Sequence, residues 1–131
     1  MTSSNPNQGT PLYQRLGGTE GIRRLVDDIV DAHVANPAIK ARFLPYLEDP
    51  EKVTQVKNHL CGFIEAGSGG DATYSGRTMP DAHRGMNIAP HEYMAAVDDI
   101  IGALRKHGVD EATQKDMLFI AWSLKDDIMH V

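Results

Sequence analysis

Residues 19–37, TEGIRRLVDDIVDAHVANP, carry the clearest structural signal in this sequence. Their apolar side chains recur every three or four residues, which is the period of an α-helix with one buried face. The positions on that face are Ile22, Leu25, Val26, Ile29, Val30 and His33. Thr19 is predicted to cap this helix, and Asn36-Pro37 is predicted to end it, because a residue that precedes proline disfavours helical geometry.

A second helix is predicted from residues 49–51, DPE, which place an N-cap carboxylate, a proline and an acidic side chain at a helix start. Residues 67–70, GSGG, are predicted to end it. Lys52, Lys57 and Asn58 lie off its apolar stripe. The stripe itself comprises Val56, His59, Leu60, Phe63 and Ile64.

The remaining part of the chain predicts two more helices after a long loop. Residues 71–88 contain two glycines and a proline and are predicted to be mainly loop, with a short helical segment around residues 81–84. Pro90 is predicted to begin a third helix that continues to Gly108, and Asp110 is predicted to cap a fourth. No segment alternates with period two, so the predicted fold class is all-α.

Length and composition limit the classes of protein that this sequence can belong to. The 131 residues suffice for one domain, which is predicted over residues 11–131, and the polar residues 1–10 are predicted to form a flexible tail. A net charge of -5 argues against a nucleic-acid partner. There is no apolar run of the ~18 residues that a membrane span needs, and no secretory signal, so we expect a cytoplasmic location. The single cysteine excludes an internal disulfide.

Six histidines in so short a chain are unusual. His59 lies within an apolar helical face, where an unpaired imidazole would cost on the order of 1–3 kcal/mol, so it either bonds a carbonyl or water or binds a ligand. His83 is either a solvated loop residue or a ligand, and His33 is expected to be partly buried and hydrogen-bonded. No role is indicated for the other three, His91, His107 and His130.

Several common types of site are excluded by their missing motifs. There is no pair of histidines at zinc-ligand spacing, no G-x-S-x-G, and no Lys-Ser/Thr after residues 67–70 to make a phosphate-binding loop. A flat apolar cofactor held between a helix face and a loop would use both His59 and His83. Haem has those properties, because a neutral imidazole supplies its axial bond and apolar side chains cover the ring.

Four short strings, in order and at consistent spacing, resemble the truncated haemoglobins of group 1. They are residues 12–18 (LYQRLGG), residues 69–70 (GG), residues 74–76 (YSG) and residues 79–83 (MPDAH). The resemblance extends from about residue 12 to about residue 128. It implies a two-over-two helical sandwich around haem b.

By this resemblance, His83 is the proximal iron ligand and His59 a candidate distal iron ligand. The residues implied to contact the haem are Phe43, Val56, His59, Leu60, Phe63, Tyr74, Met79, His83, Met86, Ile88 and Tyr93. The segment between residues 44 and 53 is longer than in typical members, which bears on the placement of Phe43.

The distal side departs from the family pattern. Where many members have a tyrosine and two glutamines, this chain has Val30, Val56 and Leu60, none of which donates a hydrogen bond. His59 is expected either to bind the iron or to hydrogen-bond a gas ligand. His33 is the reserve candidate for the distal pocket.

The resemblance implies a haem protein that binds oxygen, nitric oxide or carbon monoxide. The roles that follow are oxygen binding or transport and nitric oxide detoxification by dioxygenation, which would need a reductase. Two alternatives remain open: a six-coordinate His59/His83 haem protein for electron transfer or redox and gas sensing, and a haemless helical interaction module. The sequence also leaves the oligomeric state open between a monomer and a weak dimer.

Overall fold

The structure is a computed structural model that describes residues 9–70, 74 and 76–131. Residues 1–8 of the predicted tail and residues 71–73 and 75 of the predicted loop lie outside this part. The helices are α1 (Leu12–Arg15), α2 (Gly18–Ala35), α3 (Leu44–Leu47), α4 (Pro50–Gly67), α5 (Met79–His83), α6 (Pro90–Lys106) and α7 (Glu111–Ile128), with a 3-10 turn at Lys40–Arg42. The described residues form no strand, only an isolated bridge between Ile88 and Met129. The predicted all-α class is confirmed.

The four long helices form two packed pairs. Helix α2 packs on α4, α6 packs on α7, and α2 joins the pairs through its contact with α6. The short helices α3 and α5 lie against α4 and α7 respectively. Helix α2 supplies half of the buried core cluster, from the face that its sequence period predicts. None of the helices within the described ranges is long and apolar enough to cross a membrane. The buried core cluster is Leu16, Ile22, Leu25, Val26, Ile29, Val30, Cys61, Ala103, Leu104 and Met117.

Most predicted helix ends are found where the local chemistry places them. The Asp49 carboxylate accepts a hydrogen bond from the Glu51 N–H (3.0 Å), with Pro50 as the first helical residue of α4. Helix α6 begins at Pro90, as predicted. Asp110 is the N-cap residue of α7, and its carboxylate accepts a hydrogen bond from the Thr113 hydroxyl (2.5 Å). These ends depend on residues close in sequence, which is why the sequence predicts them.

The predicted cap of α2 is wrong by two residues. Gly17, with φ +97°, is the N-cap, and Thr19 lies inside the first turn. The Thr19 hydroxyl is hydrogen-bonded to the Tyr13 hydroxyl, and the Thr19 N–H donates to the same Tyr13 oxygen. A tyrosine from α1 therefore satisfies the helix terminus in place of the threonine, and glycine at position 17 provides the left-handed backbone that this entry requires.

Tyr13 also explains why a glycine is needed at position 70, in the pair at residues 69–70. Its ring lies against Gly70, where an added Cβ would stand only 2.7 Å from the ring, and its N–H donates to the Ser68 carbonyl (2.9 Å). The chain after α4 is thus packed directly on α1. This contact ties the start of the fold to the end of the helix that carries His59.

The apolar stripe of α4 only partly packs on the core. Leu60 and Ile64 pack on the core beside Cys61, the only residue of α4 that is buried. Val56 and Phe63 are partly buried and lie outside the core cluster. At ~100° per residue, Val56 and Phe63 lie about 40° and about 60° from Leu60, so they form the outer edge of the same stripe.

Candidate functional site

His83 is the last residue of α5, a helix that Thr78 caps by accepting a hydrogen bond from the Asp81 N–H (3.3 Å). The half-buried imidazole donates from Nδ1 to the carbonyl oxygen of Met79, at 2.8 Å. A carbonyl only accepts, so Nδ1 carries the proton in the neutral ring and Nε2 holds a free lone pair. Such an orienting bond is the usual preparation of a histidine for binding a metal.

The helices that carry His59 and His83 do not pack extensively on each other. Helix α4 is held by α2 and α3, whereas α5 is held by α7. At the outer edge of the apolar stripe of α4, the ring of Phe63 meets the ring of Tyr74 edge to face, with centroids 5.4 Å apart. The Tyr74 hydroxyl donates to the Arg77 carbonyl (2.8 Å), which joins this aromatic pair to the segment leading into α5.

His59 lies on α4 beside these apolar residues but differs from them in its contacts. Its side chain is exposed, and it forms no hydrogen bond with any residue that the structure describes. Val56 and Leu60, on either side of it in the sequence, are partly buried. The imidazole of His59 is therefore not satisfied by a neighbouring carbonyl among the described residues, unlike that of His83.

The loop after His83 is held by the final segment of the sequence. The N–H groups of Gly85 and Asn87 both donate to the Val131 carbonyl (3.1 Å each), and the His130 N–H donates to Ile88 (3.1 Å). These bonds make a short parallel pairing of Ile88 with Met129. They hold the backbone that begins two residues after His83.

An ion pair holds the same loop from another side. The Arg42 guanidinium bonds both oxygens of Glu92 (2.7 and 2.8 Å) and donates a further hydrogen bond to the Met86 carbonyl (2.7 Å). The Glu92 carboxylate also accepts from the Ala89 N–H (3.0 Å). The hydrogen bonds from Arg42, followed by that from Ala89, lower the pKa of Glu92 from its usual 4.5 to about 2. The same hydrogen bonds to Glu92 raise the pKa of the Arg42 guanidinium.

His33 has its own partners on α6. Its Nδ1 lies 2.8 Å from the Asp99 carboxylate, which the Asn36 amide also contacts, and both side chains are largely buried. The Phe43 ring is stacked on the His33 ring at 5.6 Å. Val30, in the same helix, is buried in the core. This cluster connects the end of α2 with the segment that carries Phe43.

Tyr93 links two helices at the far side of the predicted site. Its hydroxyl donates to the carbonyl oxygen of Ala121 in α7. Burial raises the pKa of the Tyr93 phenol. The structure thus places this residue between α6 and α7, and the haem contact that the resemblance implies for it stays a prediction.

The structure brings several of the predicted residues into groups. His83 is bonded to Met79 and Met86 around α5, and Phe63 meets Tyr74, whereas Ile88 pairs with Met129. Arg42 and Glu92 were missed by the sequence analysis. Glu92 is the third residue of a helix begun by Pro90, a position where an acidic side chain bonds the helix start. That pattern was the one available signal, because the sequence does not indicate a contact across 50 residues.

These residues fit a haem group. A haem requires apolar surface and a neutral nitrogen ligand. Val56, Leu60 and Phe63 of α4 offer partly buried apolar surface, and Nε2 of His83 keeps its lone pair because Nδ1 makes the bond to Met79. A helical sandwich with a candidate iron-binding histidine on a short helix is the arrangement expected of a truncated globin. The comparisons with known proteins agree with that class.

The chain belongs to the bacterial-like globin family, whose model matches residues 11–130. It is similar to the group 1 truncated haemoglobin of Tetrahymena pyriformis, with 26% identity over 86% of this chain and 98% of the relative. It resembles that of Nostoc commune equally, at 26% identity over 91% of this chain and 97% of the relative. Membership of the globin family implies haem binding.

Solved structures show the same architecture. The truncated haemoglobin of Tetrahymena pyriformis in its Fe(III) form superposes with a TM-score of 0.83 at 21% identity, covering 93% of this chain and 100% of that one. The 2/2 haemoglobin of Synechococcus sp. PCC 7002, in the cyanomet state with covalently attached haem, gives 0.81 at 19% identity over 92% and 98%. The two-over-two fold implied by the sequence resemblance is confirmed.

Proposed function

We propose that this protein binds haem b through Nε2 of His83 and takes oxygen, nitric oxide or carbon monoxide on the opposite side of the ring. The observation that carries the proposal is the hydrogen bond from His83 Nδ1 to Met79, which leaves Nε2 free and fixes the ring's direction. The haem iron supplies the gas-binding chemistry. The chain supplies the oriented imidazole and apolar side chains that exclude water.

The distal side chains determine what this pocket offers a gas. Val30 is buried, and Val56 and Leu60 are partly buried hydrocarbons that donate no hydrogen bond. His59, which precedes Leu60, is the donor that the family resemblance assigns to the distal side, with His33 as the reserve. Selectivity among the gases then rests on the iron and on a histidine rather than on a network of donors.

Absorption spectra of the haem-loaded protein test the proposal. The ferrous pyridine complex reports whether the group is haem b. His83→Gly is expected to lose the five-coordinate histidine spectrum and to regain it when free imidazole is added. His91→Ala is the control, because it removes a histidine that is exposed and lies outside α5. A His83→Gly variant with an unchanged ferrous spectrum would contradict the assignment of His83.

A second candidate is a six-coordinate haem protein with His59 and His83 as the two ligands, suited to electron transfer or gas sensing. It is favoured by the exposed His59 side chain, which bonds none of the described residues. The gas-free ferrous protein is then expected to be six-coordinate, and His59→Ala five-coordinate. His33→Ala tests the reserve ligand. A five-coordinate spectrum in the unsubstituted protein would exclude this candidate.

Nitric oxide detoxification is a further role that we propose for the same site. It requires conversion of nitric oxide and oxygen to nitrate with return of the iron to the ferrous state by an electron donor. Measuring nitrate for each equivalent of nitric oxide, with and without a reductant, separates turnover from binding. A yield that stops at one equivalent per haem even with reductant present would exclude an enzymatic role.

A further inference from the structure

The outward face of α7 exposes three large apolar side chains within two helical turns. Leu118, Phe119 and Trp122 are 45%, 69% and 63% exposed, whereas Met117 on the inner face is 8% exposed. Trp122 is the only tryptophan in the chain. An aromatic residue offers ~150–250 Å² for burial, and a contiguous apolar patch of a few hundred Å² commonly marks a contact surface.

The spacing and charges of this face have a definite pattern. Lys115, Phe119, Trp122 and Asp126 follow each other at intervals of four, three and four residues, which is the spacing of a coiled-coil seam. They lie within a sector of about 60° of the helix. Lys115 and Asp126 are 73% and 83% exposed. Lys115 pairs with Glu111, and Asp126 pairs with Lys125, which is 26% exposed and whose ammonium lies 4.7 Å from the centroid of the Trp122 ring. Such exposed pairs are weak and can exchange partners.

We propose that this face, defined as Lys115, Phe119, Trp122 and Asp126, is a self-association surface that binds α7 of a second copy in antiparallel orientation. The midpoint between Phe119 and Trp122 is also the midpoint between Lys115 and Asp126. About a two-fold axis through that midpoint, Phe119 meets Trp122 of the second copy and Lys115 meets Asp126 of the second copy, each contact occurring twice. Parallel packing would instead place lysine beside lysine and aspartate beside aspartate.

Other occupants match this face less well. An anionic lipid surface would be repelled by Asp126 and by the neighbouring Asp127, and the whole chain carries a net charge of -5. Residues 1–8, MTSSNPNQ, offer little apolar surface to two aromatic rings. The four side chains of this face also present less area than the roughly 800 Å² per partner of a standard interface, so the dimer is expected to be weak and to depend on concentration.

Sedimentation equilibrium of the haem-loaded, carbon monoxide-bound protein from about 10 µM to about 1 mM tests the proposal. The average mass is expected to rise from that of one haem-loaded chain, whose polypeptide part is 14.4 kDa, towards twice that mass. Trp122→Ser is expected to stay monomeric with an unchanged circular dichroism spectrum, because the side chain is exposed. Leu47→Gln, at a 42% exposed leucine on α3, is the matched control and should dimerise normally.

Charge exchange tests the antiparallel register. Lys115→Glu alone and Asp126→Lys alone are each expected to weaken the dimer roughly tenfold, since each removes two symmetric ion pairs. The variant with both substitutions should recover most of the affinity, because the pairs are restored with reversed sign. Failure of this recovery would overturn the antiparallel arrangement.

Three results would overturn self-association itself. The first is a chain that remains at its monomer mass up to about 1 mM. The second is a monomer that binds vesicles of phosphatidylcholine through Trp122, which would assign the face to a lipid surface. The third is a chain that dimerises only after deletion of residues 1–8, which would assign the face to that segment. Haem binding is measured separately in every variant, so loss of the cofactor is not mistaken for loss of the dimer.

Discussion

Replacing Glu92 with glutamine should destabilise the protein in a pH-dependent way. The carboxylate bonds the Arg42 guanidinium and the Ala89 N–H, and its pKa falls from 4.5 to about 2 in the folded chain. A difference of this size corresponds to about 3 kcal/mol at about 1.36 kcal/mol per pKa unit. The Arg42 side chain is 34% exposed, so solvent screening lowers the expected loss to about 2 kcal/mol.

The sign follows from the lowered pKa. A carboxyl group with a folded pKa below its unfolded value stabilises the fold fully above the unfolded pKa, and this contribution disappears as pH falls through the folded pKa. The unsubstituted protein and Glu92→Gln should therefore differ by a constant amount from pH 7 to about pH 5. Between pH 4.5 and about 2 the difference should shrink towards zero.

Urea unfolding of the haem-free chain, followed by far-ultraviolet circular dichroism, measures this difference without interference from acid release of haem. Asp81→Asn is the matched control, because Asp81 and its partner Arg84 are both largely exposed and their pair should contribute little. A Glu92→Gln effect below about 0.5 kcal/mol at pH 7 would refute the reasoning, as would an effect that stays constant from pH 5 to pH 3.

Three further substitutions test the packing around the site. Gly70→Ala should destabilise the fold by about 1–3 kcal/mol in urea unfolding, because its methyl group would lie 2.7 Å from the Tyr13 ring. Gly102→Ala, inside α6 with nothing within 4 Å of the added carbon, should instead stabilise by about 0.5–1 kcal/mol, and a loss there would contradict the open space. Tyr93→Phe should cost about 0.5–1.5 kcal/mol through loss of the bond to Ala121. In the unsubstituted protein, ultraviolet titration should show the Tyr93 phenol ionising above its usual pH, and a normal midpoint would count against its burial.

The helices were predictable because their signals are local. Pro50 and Pro90 begin α4 and α6 where the sequence places them, and the apolar period of α2 matches its buried face. The cap of α2 was mispredicted because its partner, Tyr13, comes from another helix. The apolar stripe of α4 was predictable, but periodicity does not show which of its residues pack on the core and which lie outside it.

The candidate site, like the fold, was predictable only in part. The string MPDAH, residues 79–83, marked His83 through its resemblance to a family signature. The Thr78 cap and the bond from the His83 imidazole to the Met79 carbonyl, four residues earlier, were found only in the structure. Arg42 holds the loop after His83 through a bond to Glu92 across 50 residues, and His33 bonds Asp99 across 66 residues at the end of α2. Sequence alone therefore determined the helices, because those depend on neighbouring residues, and it supplied the iron-binding candidate by resemblance. Only the tertiary structure decided which side chains hold the loop and which residues of α4 pack on the core, because contacts between distant residues form only when the packed helices bring them together.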